Sequence, residues 1–416
     1  MKVLLSAYAC EPGRGTEPGV GWNTAWEIAK YQEVWVLTRP DDGREAIEAE
    51  LQRNPNPNLH FVYFTLPIFG SLWRKGSIAF LIHYYFWQLQ AFFVARRLHA
   101  EIGFDVAHHV TFVRHSAPSF LTLLPIPLIW GPVGGGESAP AAFWQDFSWR
   151  NKVYEVLRIA ARWVGERDPF ARMTAQHSTI VRATTEDTAI RIRQMGAQQV
   201  EIYPEASLTK EEIVRLTQCD RDPPVVRFIS MGRLLHWKGF HLGLRAFAQA
   251  DLLDAEYLVL GDGPDRQRLE DLAIELGIAD RVKFVNRLPR DEALQQLGSC
   301  TALVHPSLHD SGGWVCLEAM MAARPVICLN LGGPAIQVTA ETGVRVDAPD
   351  PDGATRGLAA AMVKLATDPS LCLSMGRAGQ RRVKEFYNWE SRGPQICQLY
   401  EDVVTANLLP SGSIVR

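Results

Sequence analysis

The stretch His305–Val326, HPSLHDSGGWVCLEAMMAARPV, has the order strand end, polar loop, helix start. A short apolar run, Thr301–Val304, leads into it, and a helix-forming run begins at Trp314 after two adjacent glycines. The first N–H groups of a helix have no intrahelical acceptor, and together with the helix dipole they favour anions. The stretch therefore predicts an anion-binding turn in an α/β fold.

Two carboxylates lie in this stretch. Asp310 is in the loop, and Glu318 follows eight positions later, in the second turn of the expected helix. At this spacing both side chains can face one ligand, and the glycines between them let a ligand approach the backbone. The alternative is an ordinary βα turn with a solvated Asp and a surface Glu.

The stretch resembles the signature of the retaining GT-B glycosyltransferases of family 4. That signature reads Pro-Ser, a few residues, Glu-Gly-Phe-Gly, then Leu-Glu-Ala-Met and a Pro-Val strand. The matching positions are Pro306, Ser307, Gly313, Leu317, Glu318, Ala319, Met320, Pro325 and Val326. Two positions depart from it, because the family's first Glu is Asp310 and its Gly-Phe is Ser311-Gly312.

The resemblance implies an α/β fold of the GT-B class, with two Rossmann-like domains facing a cleft and a C-terminal helix crossing back to the first domain. A length of 416 residues agrees, because it exceeds what one hydrophobic core usually supports. The expected parts are an acceptor-binding domain at 1–204, a linker at 205–224, a sugar-nucleotide domain at 225–387 and the terminal helix at 388–416.

Composition limits the function classes. A net charge of -3 argues against a nucleic-acid binder, and a hydrophobic share of 47% is ordinary for a globular protein. Seven cysteines without a CxxC pair indicate reduced thiols in a cytoplasmic protein. The Asp-x-Asp pairs Asp220/Asp222 and Asp350/Asp352 are interpreted as turn chemistry, so no metal site and no cofactor are predicted.

The second half of the chain carries the donor-binding residues that the resemblance implies. The segment GRLLHWKGF follows a predicted strand, Val225–Met231, and would place Arg233 and Lys238 on the diphosphate of the donor. Asp310 would bind hydroxyls of the donor sugar, and Glu318 would bind the ribose. The other predicted donor-binding residues are Gly261, Gly263, Leu288, Ser311, Gly312, Gly313, Trp314 and Val315.

The first half begins with a strand, Val3–Ala9, and a glycine-rich loop, with a helical pattern from Asn23 to Tyr31. Repeated glycines suit a backbone that wraps a phosphate or a sugar, although many α/β folds have a glycine-rich first turn. In the resembled family this loop contacts the donor phosphate and the acceptor. Gly19 and Gly21 are the positions that the resemblance assigns to it.

The strand Asp105–Val110 ends in two histidines. The family usually places a catalytic histidine two residues after a first histidine, but here His108 is followed by His109 and then Val110. Successive strand residues point to opposite faces, so one of the pair enters the cleft. We predict His109 for that role, and a packed, hydrogen-bonded histidine is the alternative.

Two segments raise the question of a membrane. Ile78–Leu98 is long and apolar, but His83 and several other polar residues interrupt it, which favours a buried helix over a transmembrane one. The aromatic and basic residues of Trp73–Phe93 favour contact with a bilayer surface. The amphipathic region Ala139–Arg172 is expected to cover the sheet.

The prediction is a retaining, metal-independent glycosyltransferase that moves a sugar from a UDP- or GDP-sugar to a glycan or lipid-linked acceptor. It would act in polysaccharide or glycolipid biosynthesis, in the cytoplasm on the inner face of the membrane. A sugar-nucleotide epimerase and a non-catalytic nucleotide-sugar-binding scaffold are the alternatives, and an NAD oxidoreductase is disfavoured.

Overall fold

The computed structural model describes residues 1–41, 43–66, 76–219 and 225–408. The chain divides into two compact units. Unit 1 comprises Met1–Gly136, Arg158–Glu205 and Trp389–Arg416, and unit 2 comprises Glu137–Leu157 and Ala206–Asn388. Each unit is built on its own parallel sheet.

Unit 1 has a seven-stranded sheet with the order β3-β2-β1-β4-β5-β6-β7. Its strands are β1 Lys2–Ser6, β2 Glu33–Thr38, β3 Leu59–Tyr63, β4 Val106–His109, β5 Leu128–Val133, β6 Ile180–Ala183 and β7 Val200–Ile202. Its helices are α1 Glu17–Ile28, α2 Arg44–Arg53, α3 Ser77–Ile102, α5 Pro169–His177, α6 Glu186–Met195 and α15 Trp389–Leu408, and α4, Trp149–Gly165, begins in unit 2 and ends here. Near-continuous burial of β1, β4 and β6 fits strands covered on both faces.

Unit 2 has a six-stranded sheet with the order β10-β9-β8-β11-β12-β13. Its strands are β8 Arg227–Met231, β9 Glu256–Leu260, β10 Val282–Val285, β11 Ala302–His305, β12 Val326–Leu329 and β13 Gly343–Val346. Its helices are α7 Lys210–Thr217, α8 Phe240–Ala250, α9 Arg266–Glu275, α10 Arg290–Gly298, α11 Trp314–Met321, α12 Gly332–Gln337, α13 Pro351–Thr367 and α14 Pro369–Phe386.

Both sheets reverse their strand order at one point. In unit 2 the chain runs outward from β8 to β10 and then returns to pair β11 with β8. In unit 1 the same reversal lies between β1 and β4. Ligands of open parallel sheets bind outside the carboxyl ends of the strands at such a reversal. The loops after β8 and β11 are therefore the place to look for a site in unit 2.

The sequence predicts one linker, at 205–224, between the two domains. The observed division of the chain differs from this prediction in two places. Residues Glu137–Leu157 belong to unit 2 although they lie within the first half of the chain. Within 205–224, Thr209 and Glu212 form a capping box that starts α7. The two side chains satisfy each other's backbone N–H groups, so this segment is a capped helix of unit 2. Residues 220–224, with Asp220 and Asp222, lie outside the described part of the chain.

Helix α1 begins at Glu17, earlier than the expected start at Asn23. Gly19 and Gly21 are therefore buried in its first turns and are not loop residues. A Cβ at Gly21 would come within 2.3 Å of the Ala9 carbonyl oxygen, and one at Gly19 within 2.0 Å of the Arg14 carbonyl oxygen. These glycines let α1 pack directly on the preceding backbone.

Helix α3 is buried along one face only. Tyr84 and Trp87 are buried, whereas Ile82 and Phe86 are about half exposed. The expected buried helix is thus a half-buried one, and Trp73–Lys75 lie outside the described residues. Within the described ranges no single helix is long and apolar enough to cross a membrane, and only the pair α13 and α14, bent by 103°, passes that test together.

Helix α15 packs on unit 1, as predicted for the terminal helix. It lies against α1, and the Tyr400 hydroxyl is 2.7 Å from His108 Nδ1 on β4. Burial of Ile396 and Tyr400 in the core that holds β1 and β2 anchors this helix. The last helix is therefore part of the first unit, which completes the predicted two-sheet arrangement.

Candidate functional site

The loops after β8 and β11 lie directly on one another. Gly239 has a φ of 68°, and a Cβ there would come within 1.9 Å of the Pro306 carbonyl oxygen. The Leu308 N–H donates to the Trp237 carbonyl oxygen at 2.8 Å. Only glycine permits this approach, so it brings the short 3-10 helix His236–Lys238 against the loop that carries Asp310.

Lys238, His305 and Asp310 meet at the carboxyl end of the sheet. Lys238 Nζ is 2.5 Å from Asp310 Oδ2, and His305 Nε2 is 3.1 Å from the same oxygen. The Asp310 side chain is 17% exposed and that of Lys238 is 22% exposed. The pair is thus sheltered but open to a ligand on one side.

Opposing effects set the charge of this cluster. Burial would raise the pKa of Asp310, but Lys238 and His305 outweigh it and hold that pKa well below its usual range. Burial lowers the pKa of His305, although Asp310 opposes this. At neutral pH Asp310 is therefore a carboxylate.

Asp310 also orders the start of α11. Its Oδ1 accepts from the Gly313 N–H at 3.3 Å, and its carbonyl oxygen accepts from the Gly333 N–H at 2.8 Å. Gln337 Nε2 donates to the Gly312 carbonyl oxygen at 2.5 Å. The loop Ser311–Gly313 is held on both sides, so the N–H groups that begin α11, at Trp314 and Val315, have a fixed direction.

The change from Gly-Phe to Ser311-Gly312 has a physical reason. A Cβ at Gly312 would come within 2.2 Å of the Trp314 indole ring. The ring of Trp314 fills the space that a side chain at position 312 would take. An aromatic group thus remains beside this loop, supplied by the first residue of α11.

Glu318 lies in the second turn of α11, as predicted, and is buried. Its Oε1 is 2.7 Å from an Arg290 guanidinium nitrogen, and Arg290 also bonds Glu212 at 3.2 Å. Burial raises the pKa of Glu318, and Arg290 opposes that rise. The carboxylate predicted to hold a ribose is therefore already paired with a cation.

The glycine turn after β9 supports the loop that carries Arg233. A Cβ at Gly261 would come within 1.9 Å of the Gly232 carbonyl oxygen, and one at Gly263 within 2.4 Å of the Leu234 carbonyl oxygen. The exposed Arg233 thus lies in a loop that rests on this turn, and the half-buried Leu288 lies in the loop after β10. The structure thus joins the loop that carries Arg233 to the glycine turn after β9.

Among the described residues, no group of three or more His, Cys, Asp or Glu side chains is arranged to hold a metal ion. Asp350, from the second Asp-x-Asp pair, is the N-cap of α13, where its Oδ1 accepts from the Gly353 N–H at 2.7 Å. The Asp350 side chain thus accepts a local backbone hydrogen bond where the helix begins, which is the kind of turn role expected from the sequence.

In unit 1, His108 and His109 are both buried at the end of β4. His108 bonds the Tyr400 hydroxyl through Nδ1 and the Gly131 carbonyl oxygen through Nε2, at 2.7 and 2.8 Å. His109 Nε2 is 3.2 Å from both Tyr84 Oη and Gln88 Nε2 on α3. Burial lowers the pKa of each imidazole to about 3, so both are neutral at pH 7. The catalytic role of His109 stays a prediction.

Three residues of these surroundings were missed by the sequence reasoning. His305 was signalled by its place at the carboxyl end of a strand beside the reversal of strand order. Arg290 and Glu155 gave no signal, because their partners are distant in sequence. Glu155 is 1% exposed, and its Oε1 is 3.0 Å from His236 Nε2 and 3.6 Å from His309 Nε2.

Comparison with known sequences places these loops in a recognised domain. Residues 218–382 match the family model described as Glycosyl transferases group 1. The 2-deoxystreptamine glucosyltransferase of Streptomyces kanamyceticus is 31% identical over 224 residues, which are 50% of this chain and 57% of that protein. The lipopolysaccharide core biosynthesis glycosyltransferase LpsD of Rhizobium meliloti is 32% identical over 213 residues, 48% of this chain and 57% of that protein. The chain spans about half the length of the curated relatives it matches.

Comparison with solved structures extends the likeness to both units. Sucrose-phosphate synthase from Thermosynechococcus elongatus has a TM-score of 0.62 at 19% identity, over 97% of this chain and 99% of that one. At this identity the likeness concerns the fold. The matched domain contains the Lys238–Asp310 contact and the α11 turn. Residues 218–382 are therefore similar to the Glycosyl transferases group 1 family, and the chain has the two-sheet fold of the GT-B glycosyltransferases.

Proposed function

We propose that this protein is a retaining glycosyltransferase of family 4, which moves a sugar from a nucleotide-sugar donor to a glycan or lipid-linked acceptor. The observation that carries the proposal is the Lys238–Asp310–His305 cluster, beside a fixed helix N-terminus at the reversal of strand order. A cation and free N–H groups suit a diphosphate, and a partly exposed carboxylate suits sugar hydroxyls. A nucleotide-sugar site requires both kinds of group, one for the diphosphate and one for the sugar.

Lys238 would stabilise the leaving group. When the bond between the sugar C1 and the diphosphate oxygen breaks, the diphosphate gains negative charge. A cation about 4 Å away, at an effective dielectric near 20, contributes roughly 4 kcal/mol. The exposed Arg233 would add a second cation, so we propose that no divalent metal is required.

Asp310 would bind hydroxyls of the donor sugar, and Glu318 the ribose of the nucleotide. The acceptor oxygen would bond to C1 on the face that the diphosphate leaves, and its proton would pass to a departing phosphate oxygen. The configuration at C1 is then retained without a covalent sugar–enzyme intermediate. The fixed N–H groups of Trp314 and Val315 would face the phosphate during this step.

We propose that the acceptor belongs to polysaccharide or glycolipid biosynthesis and that the protein works in the cytoplasm, at the inner face of a membrane. This proposal is supported by the similarity to LpsD, which is named for lipopolysaccharide core biosynthesis. The exposed Ile82, Phe86 and Phe93 of α3 support contact with a lipid surface.

Incubation with UDP, GDP and ADP sugars tests the proposal. We expect slow hydrolysis, or transfer once an acceptor extract is added, with the same rate in the presence of EDTA. Isomerised nucleotide sugar would instead identify an epimerase. Binding without any turnover would identify a scaffold, and a rate abolished by EDTA would exclude the metal-independent mechanism.

A further inference from the structure

Helix α4 has its apolar and polar faces reversed. Seven side chains lie within an arc of about 120° when residues are placed at 100° intervals. All seven are apolar and exposed: Trp149, Val153, Val156, Leu157, Ala160, Trp163 and Val164. The opposite face carries Glu155 and Arg162, which are buried. An amphipathic helix that covers a sheet normally buries its apolar face, whereas α4 buries its polar face.

The polar groups of the inner face are held within the protein. Arg162 Nη1 donates to the Gly135 and Gly136 carbonyl oxygens at 3.2 and 3.3 Å. Glu155 bonds His236 at 3.0 Å. A surface helix normally buries its apolar stripe, so these contacts fix α4 in an orientation that leaves the stripe outside.

The exposed area is large. Trp149 is 71% exposed and Trp163 is 54% exposed. From the size of an indole side chain, the two rings together expose about 300 Å². The largest apolar patch on a typical monomer measures roughly 300–600 Å². Because Val153, Val156, Leu157 and Val164 add to the rings, a partner that covers this face is expected.

The charges beside the stripe identify the kind of partner. Arg150 and Lys152 are exposed on either side of it, and the one acidic residue of α4, Glu155, faces inward. Just beyond the helix, the Arg167 guanidinium lies 3.8 Å from the centre of the Trp163 ring. Tryptophan beside basic residues, without exposed carboxylates, suits the headgroup region of an anionic bilayer.

We infer that the outer face of α4 is a docking surface for anionic membranes. The apolar stripe would enter the boundary between headgroups and acyl chains, while Arg150 and Lys152 contact lipid phosphates. This inference does not depend on the proposed transferase activity, because it concerns binding alone. It places the main membrane contact on α4, apart from the α3 residues named above.

Flotation of the full-length protein with phosphatidylcholine vesicles, with and without phosphatidylglycerol, tests the inference. The parent protein should float with the anionic vesicles at low salt. Trp149→Ala with Trp163→Ala should reduce the partition coefficient by about tenfold or more. Each of Arg150→Gln and Lys152→Gln should reduce it by about fivefold at low salt and much less at high salt.

Matched controls are available. Leu253 and Ile274 are 73% and 68% exposed in unit 2, and Leu253→Ala with Ile274→Ala should leave flotation unchanged. Parent-like flotation of the double tryptophan variant would overturn the inference. So would a loss of flotation only in Ile82→Ser with Phe86→Ser, which would assign the contact to α3. A dimer that the tryptophan substitutions dissociate, without vesicle binding by the parent, would identify a second copy as the partner.

A second observation concerns the inner face of α4 and rests on the proposed function. Glu155 contacts His236, two residues before Lys238, and His309, the residue before Asp310. The Trp237 ring stacks between Tyr154 and His309, with ring centres 5.5 and 5.2 Å apart. Two adjacent residues of α4 therefore hold both loops of the donor site.

We propose that Glu155 is a positioning residue, which aligns Lys238 with Asp310 without touching substrate. Glu155→Ala should lower donor turnover by about tenfold, and Glu155→Gln should recover part of it, because an amide oxygen can still accept from His236. Glu166→Gln is the control, since Glu166 lies just after α4 but bonds His115 and Arg191 of unit 1.

A double-mutant cycle separates positioning from a general structural role. If Glu155 acts through Lys238, the Glu155→Ala effect on turnover should vanish in a Lys238→Ala background. Independent effects that multiply in the double variant would overturn this proposal. Parent protein that turns over no donor would instead count against the proposed function.

Discussion

Asp310→Asn should separate catalysis from nucleotide binding. The substitution keeps the shape of the side chain but removes the charge that contacts Lys238 at 2.5 Å and His305 at 3.1 Å. We expect turnover to fall by about 100-fold, the scale for losing one preorganised interaction with developing charge. The reason is that a neutral amide stabilises an oxocarbenium-like sugar less than a carboxylate does.

Affinity for the product nucleotide should not fall with turnover. If Lys238 Nζ lies about 4 Å from a phosphate charge, the carboxylate 2.5 Å beyond it lies about 6.5 Å away. Their repulsion at an effective dielectric near 20 is about 2.5 kcal/mol, an upper limit because solvent screens it. The variant should therefore bind the nucleotide as tightly as the parent or more tightly.

Thermal shift identifies which of UDP, GDP and ADP binds, and calorimetry then measures its affinity beside donor turnover. Asp146→Asn is a matched control in unit 2, because Asp146 also bonds a basic side chain, Arg245 at 2.7 Å, and contacts a buried His241 at 3.4 Å. It should leave the nucleotide affinity unchanged. If Asp310→Asn transfers sugar as fast as the parent, the catalytic assignment of this loop is wrong.

Three further outcomes follow from the described contacts. Lys238→Ala should reduce turnover by about 100-fold or more, because the leaving diphosphate loses a cation. A reduction below about threefold in the same assay would show that Lys238 does not stabilise the leaving group. Glu318→Ala should mainly weaken nucleotide binding in calorimetry, because a ribose contact is equal in ground and transition states; unchanged affinity would contradict that role. Burial raises the pKa of Glu17 from 4.5 to about 7, although the hydrogen bond from the Phe112 N–H and the charge of Arg114 oppose this rise. Between these two pH values the folded chain keeps a proton that the unfolded chain releases. The folded state therefore becomes less stable as pH rises from 4.5 to about 7. Glu17→Gln should therefore raise Tm more at pH 8 than at pH 5, and an equal rise at both would contradict the assignment.

The sequence carried enough information to predict the fold and the loops that bring Lys238 and Asp310 together. Apolar runs of strand length alternate with helical patterns in both halves, and such local periodicity survives in the tertiary structure. Helix α11 begins at Trp314, as predicted, and the strand predicted at Val225–Met231 is β8, Arg227–Met231. The loop that carries Asp310 was recognisable because glycine spacing and a strand-to-helix order are themselves local features.

Features that depend on packing between distant residues could not be predicted. Helix α1 starts at Glu17 because Gly19 and Gly21 admit the backbone of Arg14 and Ala9, and sequence alone treats such glycines as a loop. The periodicity of α4 shows two faces but not which one is buried, since that depends on His236 and on the carbonyl groups of Gly135 and Gly136. Arg290, the partner of Glu318, lies outside the stretch His305–Val326. The sequence did not indicate this pair, because the contact depends on packing between distant residues.

The fixed rotation of α4 about its own axis restricts where residues can be inserted into or deleted from this segment. Glu155 must face inward to reach His236 while Trp163 faces outward, and the two are separated by two turns of one helix. Inserting a single residue between them would rotate everything beyond it by about 100° and carry the tryptophan off its face. Loops of homologous proteins usually tolerate insertions, but variation here should occur before Trp149 or after Gly165. Natural sequences with this arrangement are thus expected to keep the spacing from Glu155 to Trp163 constant even where the individual apolar residues differ.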